Sequence, residues 1–236
     1  MSEWAAKRFW KEASVDAGAQ DFGVMLDGRP LRTPAKAELR VPTRAMAQAI
    51  TAEWDAQEGV IRPETMPVTR SANAAIDKVS VQFDEVVDLL AEYGGTDLLC
   101  YRADGPEELI LRQGQAWDVL LNWAEGEYGV RLKVTSGVIP VDQDAAALAR
   151  LRAELAALSP FALAAMHDLI SLTGSLILGL AVARGRLDAQ QAWDLSRIDE
   201  DWQSEQWGAD EDADDLASLK NEALLQAARI WSLAHS

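Results

Sequence analysis

Near residue 75 the hydrophobic pattern changes period, and that change limits the chain to a two-part α+β architecture. Before it, apolar residues come in short runs broken by Gly, Pro and Asp. After it, they recur at the spacing of a helical turn. Residues 8–15 read as a short strand. The run Phe22-Gly23-Val24-Met25-Leu26 reads as another and ends at Asp27-Gly28. An Asp-Gly pair between extended segments favours a tight hairpin, because glycine adopts positive φ at little cost. Pro30 and Pro34 keep the return segment extended. Residues 38–41 form a further short strand. Thr43 opens a helix through about Gln57, with Ala47, Ile50 and Trp54 on one face. Gly59 is expected to close it, and Pro63 and Pro67 mark an irregular connection.

Beyond the change, Ile76, Val79, Phe83, Val86 and Leu90 predict one helix that stops at Gly94-Gly95. Residues 98–101 fit a short strand or an extended crossing. A long helix is expected over 106–128, with Leu109, Trp117, Leu120, Leu121 and Trp123 as core candidates. Residues 131–137 read as extended and 142–158 as helix. Ser159 suits an N-cap and Pro160 the first helical position. The apolar stretch 169–183 reads as a buried helix at the centre of a bundle, with Gly185 at its C-terminal stop. Asp188 with Gln191 resembles a capping box. A last helix is expected over 214–234, with Leu216, Leu219, Ala223, Ala227 and Ile230 on one stripe. The expected fold is therefore α+β. A small N-terminal α/β domain, residues 1–78, precedes a larger all-helical, orthogonal bundle-like domain, residues 79–236.

Charge divides at the same place. The 236 residues carry a formal net charge of -16. Residues 1–80 balance 11 basic against 11 acidic side chains, so the whole excess belongs to the remainder. That argues against nucleic acid as a partner, since phosphate binding needs a basic face. It also disfavours an anionic membrane surface. The apolar stretch 169–183 is short of the ~20 residues needed to span a bilayer, so no membrane insertion is expected. The single cysteine, Cys100, fits a reducing compartment. The N-terminal residues show no apolar signal core. A cytoplasmic bacterial protein is expected, or a mitochondrial matrix protein with its presequence removed if the source is eukaryotic.

No recognisable catalytic chemistry emerges. There is no G-x-x-x-x-G-K-[ST] and no G-x-G-x-x-G. His167 and His235 are the only histidines, so with one cysteine no His/Cys zinc set can be built. Cys100 and His167 form the only conceivable Cys–His pair, and a buried thiol with a hydrogen-bonded helix histidine explains them better. No cofactor and no enzyme activity are expected.

Two features remain. Residues 199–215 hold nine acidic and no basic side chains, interrupted by Trp202 and Trp207 and broken by Gly208. One reading is structural: acids at the start of the last helix complement its dipole. The other is a binding surface, in which aromatic anchors supply contact area and acids select a basic partner. The second feature is the cluster Arg29, Arg32, Lys36, Arg40 and Arg44, which reads as a solvated sheet face or a carboxylate-binding patch.

Motifs along nearly the whole chain carry a resemblance. They are Arg8-Phe9-Trp10, Leu26-Asp27-Gly28-Arg29-Pro30-Leu31-Arg32-Thr33-Pro34, Glu53-Trp54, Met66-Pro67 and Asn73-Ala74-Ala75-Ile76-Asp77. Thr96-Asp97-Leu98-Leu99-Cys100-Tyr101-Arg102, Ser175-Leu176-Ile177-Leu178-Gly179-Leu180, Asp201-Trp202-Gln203 and Glu205-Gln206-Trp207-Gly208 follow. In order and spacing the chain resembles the Atp-twelve family of assembly chaperones, which act on the free alpha subunit of the catalytic head of ATP synthase. The resemblance implies an N-terminal α/β domain, a helical C-terminal domain and a holdase without ATPase activity. It implies that the partner is the ATP synthase alpha subunit, shielded until it meets the beta subunit. It also places the functional acid after the Trp-Gly pair, at Glu211. Ala209 and Val119 stand where the family often carries an acid and a proline. The expected partner-binding residues are Trp202, Glu205, Trp207, Gly208, Asp210 and Glu211. The readings weighed against this are a non-catalytic adaptor with an acidic Trp-containing surface and an enzyme with an acidic site.

Overall fold

The structure is a computed structural model that describes residues 7–137 and 139–236. Residues 1–6, which bear on targeting, lie outside the described part. The chain divides into two compact units. The first comprises Met1–Phe83 with Ser159–Ala165 and Arg229–Ser236. The second comprises Asp84–Leu158 with Met166–Ala228.

In the first unit, β1 (Ala13–Ala17) pairs antiparallel with β2 (Phe22–Leu26), with Val15 opposite Val24. Asp27 and Gly28 both take positive φ, 48° and 76°, so the chain turns tightly into β3 (Arg29–Pro30). That pair of left-handed residues matches the twist of a two-residue hairpin. The Asp27 carboxylate also accepts from the backbone N–H groups of Lys11 and Glu12, which holds its pKa below the usual value. The short β4 (Arg40–Val41) pairs with the start of β2, and β3 with its end.

One face of this sheet is covered by α1 (Arg44–Asp55), whose Met46, Ala47 and Ile50 are buried against Val24, Leu26, Leu39 and Val41. Thr43 caps α1 by accepting from Met46 N–H at 3.1 Å, as expected. Its hydroxyl donates to the carbonyl of Leu233, so the C-terminal segment completes this core, with Ile230 buried in it. The helix ends at Asp55 rather than at Gly59, whose positive φ falls in the following loop. Pro67 does not extend an irregular connection; it starts α2 (Pro67–Ala74), since proline suits the first helical position. Glu53 on α1 caps that start by accepting from Val68 N–H, Thr69 N–H and the Thr69 hydroxyl.

The helix expected across 76–94 is not continuous. α2 runs into a single π-helical segment, Ala75–Val79, and α3 (Phe83–Ala91) begins after a turn. Asp77 in the π segment accepts from the Thr33 hydroxyl and Ala35 N–H, pinning the turn that follows β3. The Arg29–Arg44 cluster is mostly occupied within the unit. Arg40 contacts Asp16, Asp21 and Glu38, Arg32 donates to the carbonyl of Lys36, and Arg44 lies over the Phe22 ring.

The second unit is built on α4 (Glu107–Tyr128), which buries Leu109, Gln113, Trp117, Leu120 and Leu121. Residues 98–101 contain a 3-10 turn and then β5 (Tyr101–Arg102), parallel to β6 (Thr135–Ser136). α5 (Ala145–Ala156) is capped by Asp144. Ser159 accepts from Ala162 N–H at the start of α6 (Pro160–Thr173). The apolar stretch is two helices, because Gly174 at φ +66° ends α6 and Ser175 caps α7 (Leu176–Ala183). Every residue of α7 from Leu176 to Ala181 is buried, as a central helix requires. α8 (Ala189–Ser196) starts with the expected capping box of Asp188 and Gln191. α9 (Ile198–Trp207) and α10 (Glu211–His235) follow. Among the described residues no helix is long and apolar enough to cross a membrane.

Candidate partner-binding surface

The acidic run folds into α9, a glycine elbow and the first turns of α10, all within the second unit. Its anchorage comes from α4. The buried Gln113 amide donates to Asp199, and the Trp117 indole N–H donates to the Leu195 carbonyl at 2.8 Å. Ile198 is buried at the first position of α9. Arg112 meets Glu205 with one guanidinium nitrogen 2.9 Å from both carboxylate oxygens. Arg197 lies over the Trp193 ring and within 4 Å of Glu200 and Asp201 (3.9 Å and 3.8 Å). Partial burial raises the pKa of Asp201, while Arg197 and Arg112 oppose that shift.

Gly208 ends α9 at φ +94° and ψ 160°. That region of backbone space is open almost only to glycine. An added Cβ would meet nothing within 4 Å, so the requirement is conformational rather than one of space. Asp210 is the N-cap of α10, accepting from Asp212 N–H at 3.1 Å and Ala213 N–H at 3.3 Å. Glu211, Asp212 and Asp214 fill the first turn, where the helix dipole stabilises negative charge.

The six expected binding residues therefore divide by environment. Trp202 is half-buried and Glu205 is tied to Arg112. Asp210 serves the helix start and Gly208 the elbow. Trp207 and Glu211 point into solvent, with Trp207 79% exposed. Two features were not legible as part of this surface. Arg112 lies 93 residues from Glu205, so spacing gave no signal. Leu216 and Leu219, on the apolar stripe expected for the last helix, are 53% and 64% exposed, and Ala223 is exposed too. The buried stripe runs through Leu224, Ala227 and Ile230.

Elsewhere, Cys100 is fully buried, and burial pushes its thiol pKa up to about 12. His167 is exposed and paired with Asp168, which raises its pKa. Among the described residues no group of three or more His, Cys, Asp or Glu is arranged to hold a metal ion.

This combination of a small mixed-sheet unit and a helical unit is shared with solved structures of Atp12. Atp12 from Paracoccus denitrificans matches with TM-score 0.95 at 53% identity, covering 98% of this chain and all of that one. An aspartate-to-lysine mutant of the same protein gives TM-score 0.96 over 99% of this chain. A protein of Agrobacterium tumefaciens described as a candidate chaperone matches at 43% identity and TM-score 0.88, covering 94% of this chain and 85% of its own. The mitochondrial protein atp12 of Schizosaccharomyces pombe is 28% identical over 229 residues, 91% of this chain and 79% of the yeast protein. The fold class is thus that of an α+β assembly chaperone. The sequence model of the family described as ATP12 chaperone protein matches residues 7–125, and the chain belongs to that family of ATP synthase assembly chaperones.

Proposed function

We propose that this chaperone binds the free alpha subunit of the ATP synthase catalytic head and shields its subunit interface until the beta subunit arrives. A free subunit exposes an apolar surface meant for its neighbour, and such surface drives aggregation. The observation that carries the reading is Trp207, 79% exposed beside an acidic helix start. Exposed tryptophan at that level is unusual unless something covers it, and aromatic anchors dominate protein interfaces. The acids around Glu211 would steer a client with a basic patch and speed encounter more than they tighten the complex. Exchangeable binding is what a holdase needs, because the beta subunit must displace it. By kinship with the Paracoccus and fission-yeast proteins, the site of action is the bacterial cytoplasm or the mitochondrial matrix.

The test is co-expression with free alpha and free beta subunits, followed by solubility measurement and pull-down. Selective rescue of alpha is expected, with binding that weakens as salt screens the acidic surface. Equal capture of unrelated unfolded proteins, or no capture of alpha, would sink the reading.

A further inference from the structure

From Glu211 to Ala223 only Ala217 and Asn221 of α10 are half-buried, Asn221 donating to the Gln190 side chain of α8 at 3.1 Å, and the first buried residue is Leu224. A helix segment of that length gains little stability in water without packing. Yet this segment carries an apolar stripe, Leu216, Leu219 and Ala223, at the i, i+3, i+7 spacing of one helix face. That stripe lies on the face that Ala227 and Ile230 continue, and it is buried only from Ala227 onward; Trp207 is exposed four residues before α10 begins. Asp212 and Asp215 stand one turn before Leu216 and Leu219, and Glu222 one turn after Leu219. From 198 to 228 there are ten acidic side chains and one basic, Lys220. Among the described residues Glu211, Asp212, Asp214 and Asp215 make no ion pair.

We infer that the Leu216–Leu219–Ala223 stripe is the apolar half of the client-docking surface, and that its occupant is an amphipathic segment of the alpha subunit edged by Lys or Arg. This rests on the proposed function and adds the chemistry of the recognised segment. Charge selects the occupant. A second copy of this chain would bring like charge against like, which costs affinity and association rate. A segment with an apolar stripe and basic borders buries the leucines and pairs the unpartnered acids together, as helix-in-groove recognition does.

The experiment compares the full-length wild-type chain, L216Q/L219Q and E211K for capture of isolated alpha subunit and for thermal unfolding. Glutamine keeps helix propensity close to that of leucine, so unfolding of the double variant is expected to match wild type. Its affinity for alpha is expected to fall roughly 10- to 100-fold, the effect of leaving two leucines unburied. The salt dependence should persist in L216Q/L219Q and diminish in E211K. A photo-crosslinker placed at Leu219 is expected to capture an alpha peptide with apolar residues bordered by Lys or Arg. Wild-type capture of alpha with unchanged affinity in L216Q/L219Q overturns the inference while leaving the proposed function standing. So does a crosslink to another copy of this chain or to an acidic alpha segment. Failure of wild type to capture alpha overturns both.

Discussion

Asp97 is a fully buried carboxylate at the centre of the second unit, and replacing it with alanine should unfold the chain more readily than any surface change. Its side chain accepts from Leu99 N–H at 3.0 Å, the Ser175 hydroxyl at 2.8 Å and Ile177 N–H at 3.0 Å. It therefore closes the 3-10 turn after itself and the start of α7, two segments nearly 80 residues apart. Alanine leaves three donors without their acceptor in a site water does not reach. Each buried unsatisfied group costs about 1–3 kcal/mol, and such penalties do not add fully, so Asp97→Ala is expected to lose about 3–5 kcal/mol. That is a large part of a domain's typical stability.

The loss should also depend on pH. Burial raises the Asp97 pKa from 3.8 to about 6, against the opposing effect of the hydrogen bonds from Ile177, Ser175 and Leu99. Between those values the folded protein holds the proton more tightly than the unfolded chain, so this group's contribution is fully present below about pH 4 and declines as pH rises through 6. The full difference is about 3 kcal/mol, of which roughly 1–1.5 falls between pH 5 and pH 7.5. Urea unfolding of wild type and Asp97→Ala at pH 5 and pH 7.5 measures both quantities. The variant should be further below wild type at pH 5. A loss under 1 kcal/mol at both pH values, or a larger loss at pH 7.5, would refute the account of Asp97 as a desolvated hub.

Three further outcomes are expected. Thr43→Ala removes the α1 cap and the bond to the Leu233 carbonyl, so chemical denaturation should show a loss of about 1–2 kcal/mol, whereas Thr43→Ser should recover most of it. In Gly179→Ala the new Cβ would lie 2.7 Å from Ile170 Cγ1 and 3.4 Å from Met166 Sδ; overpacking should outweigh the ~1 kcal/mol gain in helix propensity, and the thermal midpoint should fall. Glu211→Lys should lose no more than about 1 kcal/mol from the dipole of α10 yet lose capture of the alpha subunit in co-expression; unfolding of the variant would show that the acid serves the helix instead.

What could be read from sequence was local chemistry. The Asp27-Gly28 hairpin, the Thr43 and Ser159 caps and the Asp188–Gln191 box each need only residues within one turn, and each is where it was expected. The misses depend on distant partners. The stretch 169–183 is apolar throughout, so periodicity cannot show that Gly174 reverses the backbone and Ser175 begins a new helix. The Asp97 carboxylate that secures this break comes from 78 residues away. The π segment at Ala75–Val79 is equally silent, because one extra residue in a turn shifts the helical period by less than a short window resolves. The exposure of Leu216 and Leu219 is hidden for another reason: an apolar stripe states that something is to be covered, not whether the protein itself covers it.

The two readings of the acidic run are compatible, because its members occupy different environments. Asp199, Glu200, Asp201 and Glu205 lie against Gln113, Arg197 and Arg112 and hold α9 in place. Asp210 caps α10. That leaves Glu211, Asp212, Asp214 and Asp215, whose mutual repulsion opposes folding. The N-terminal turn of a 25-residue helix is where a chain tolerates such a concentration best, since the dipole offsets part of the repulsion. Helix stabilisation alone would be met by one or two acids there, because the effect fades within the first turn. Asp215, a full turn beyond the cap, gains little from it. The excess lies alongside Leu216 and Leu219 rather than dispersed over the surface, which is the arrangement a basic, apolar-faced client would complete.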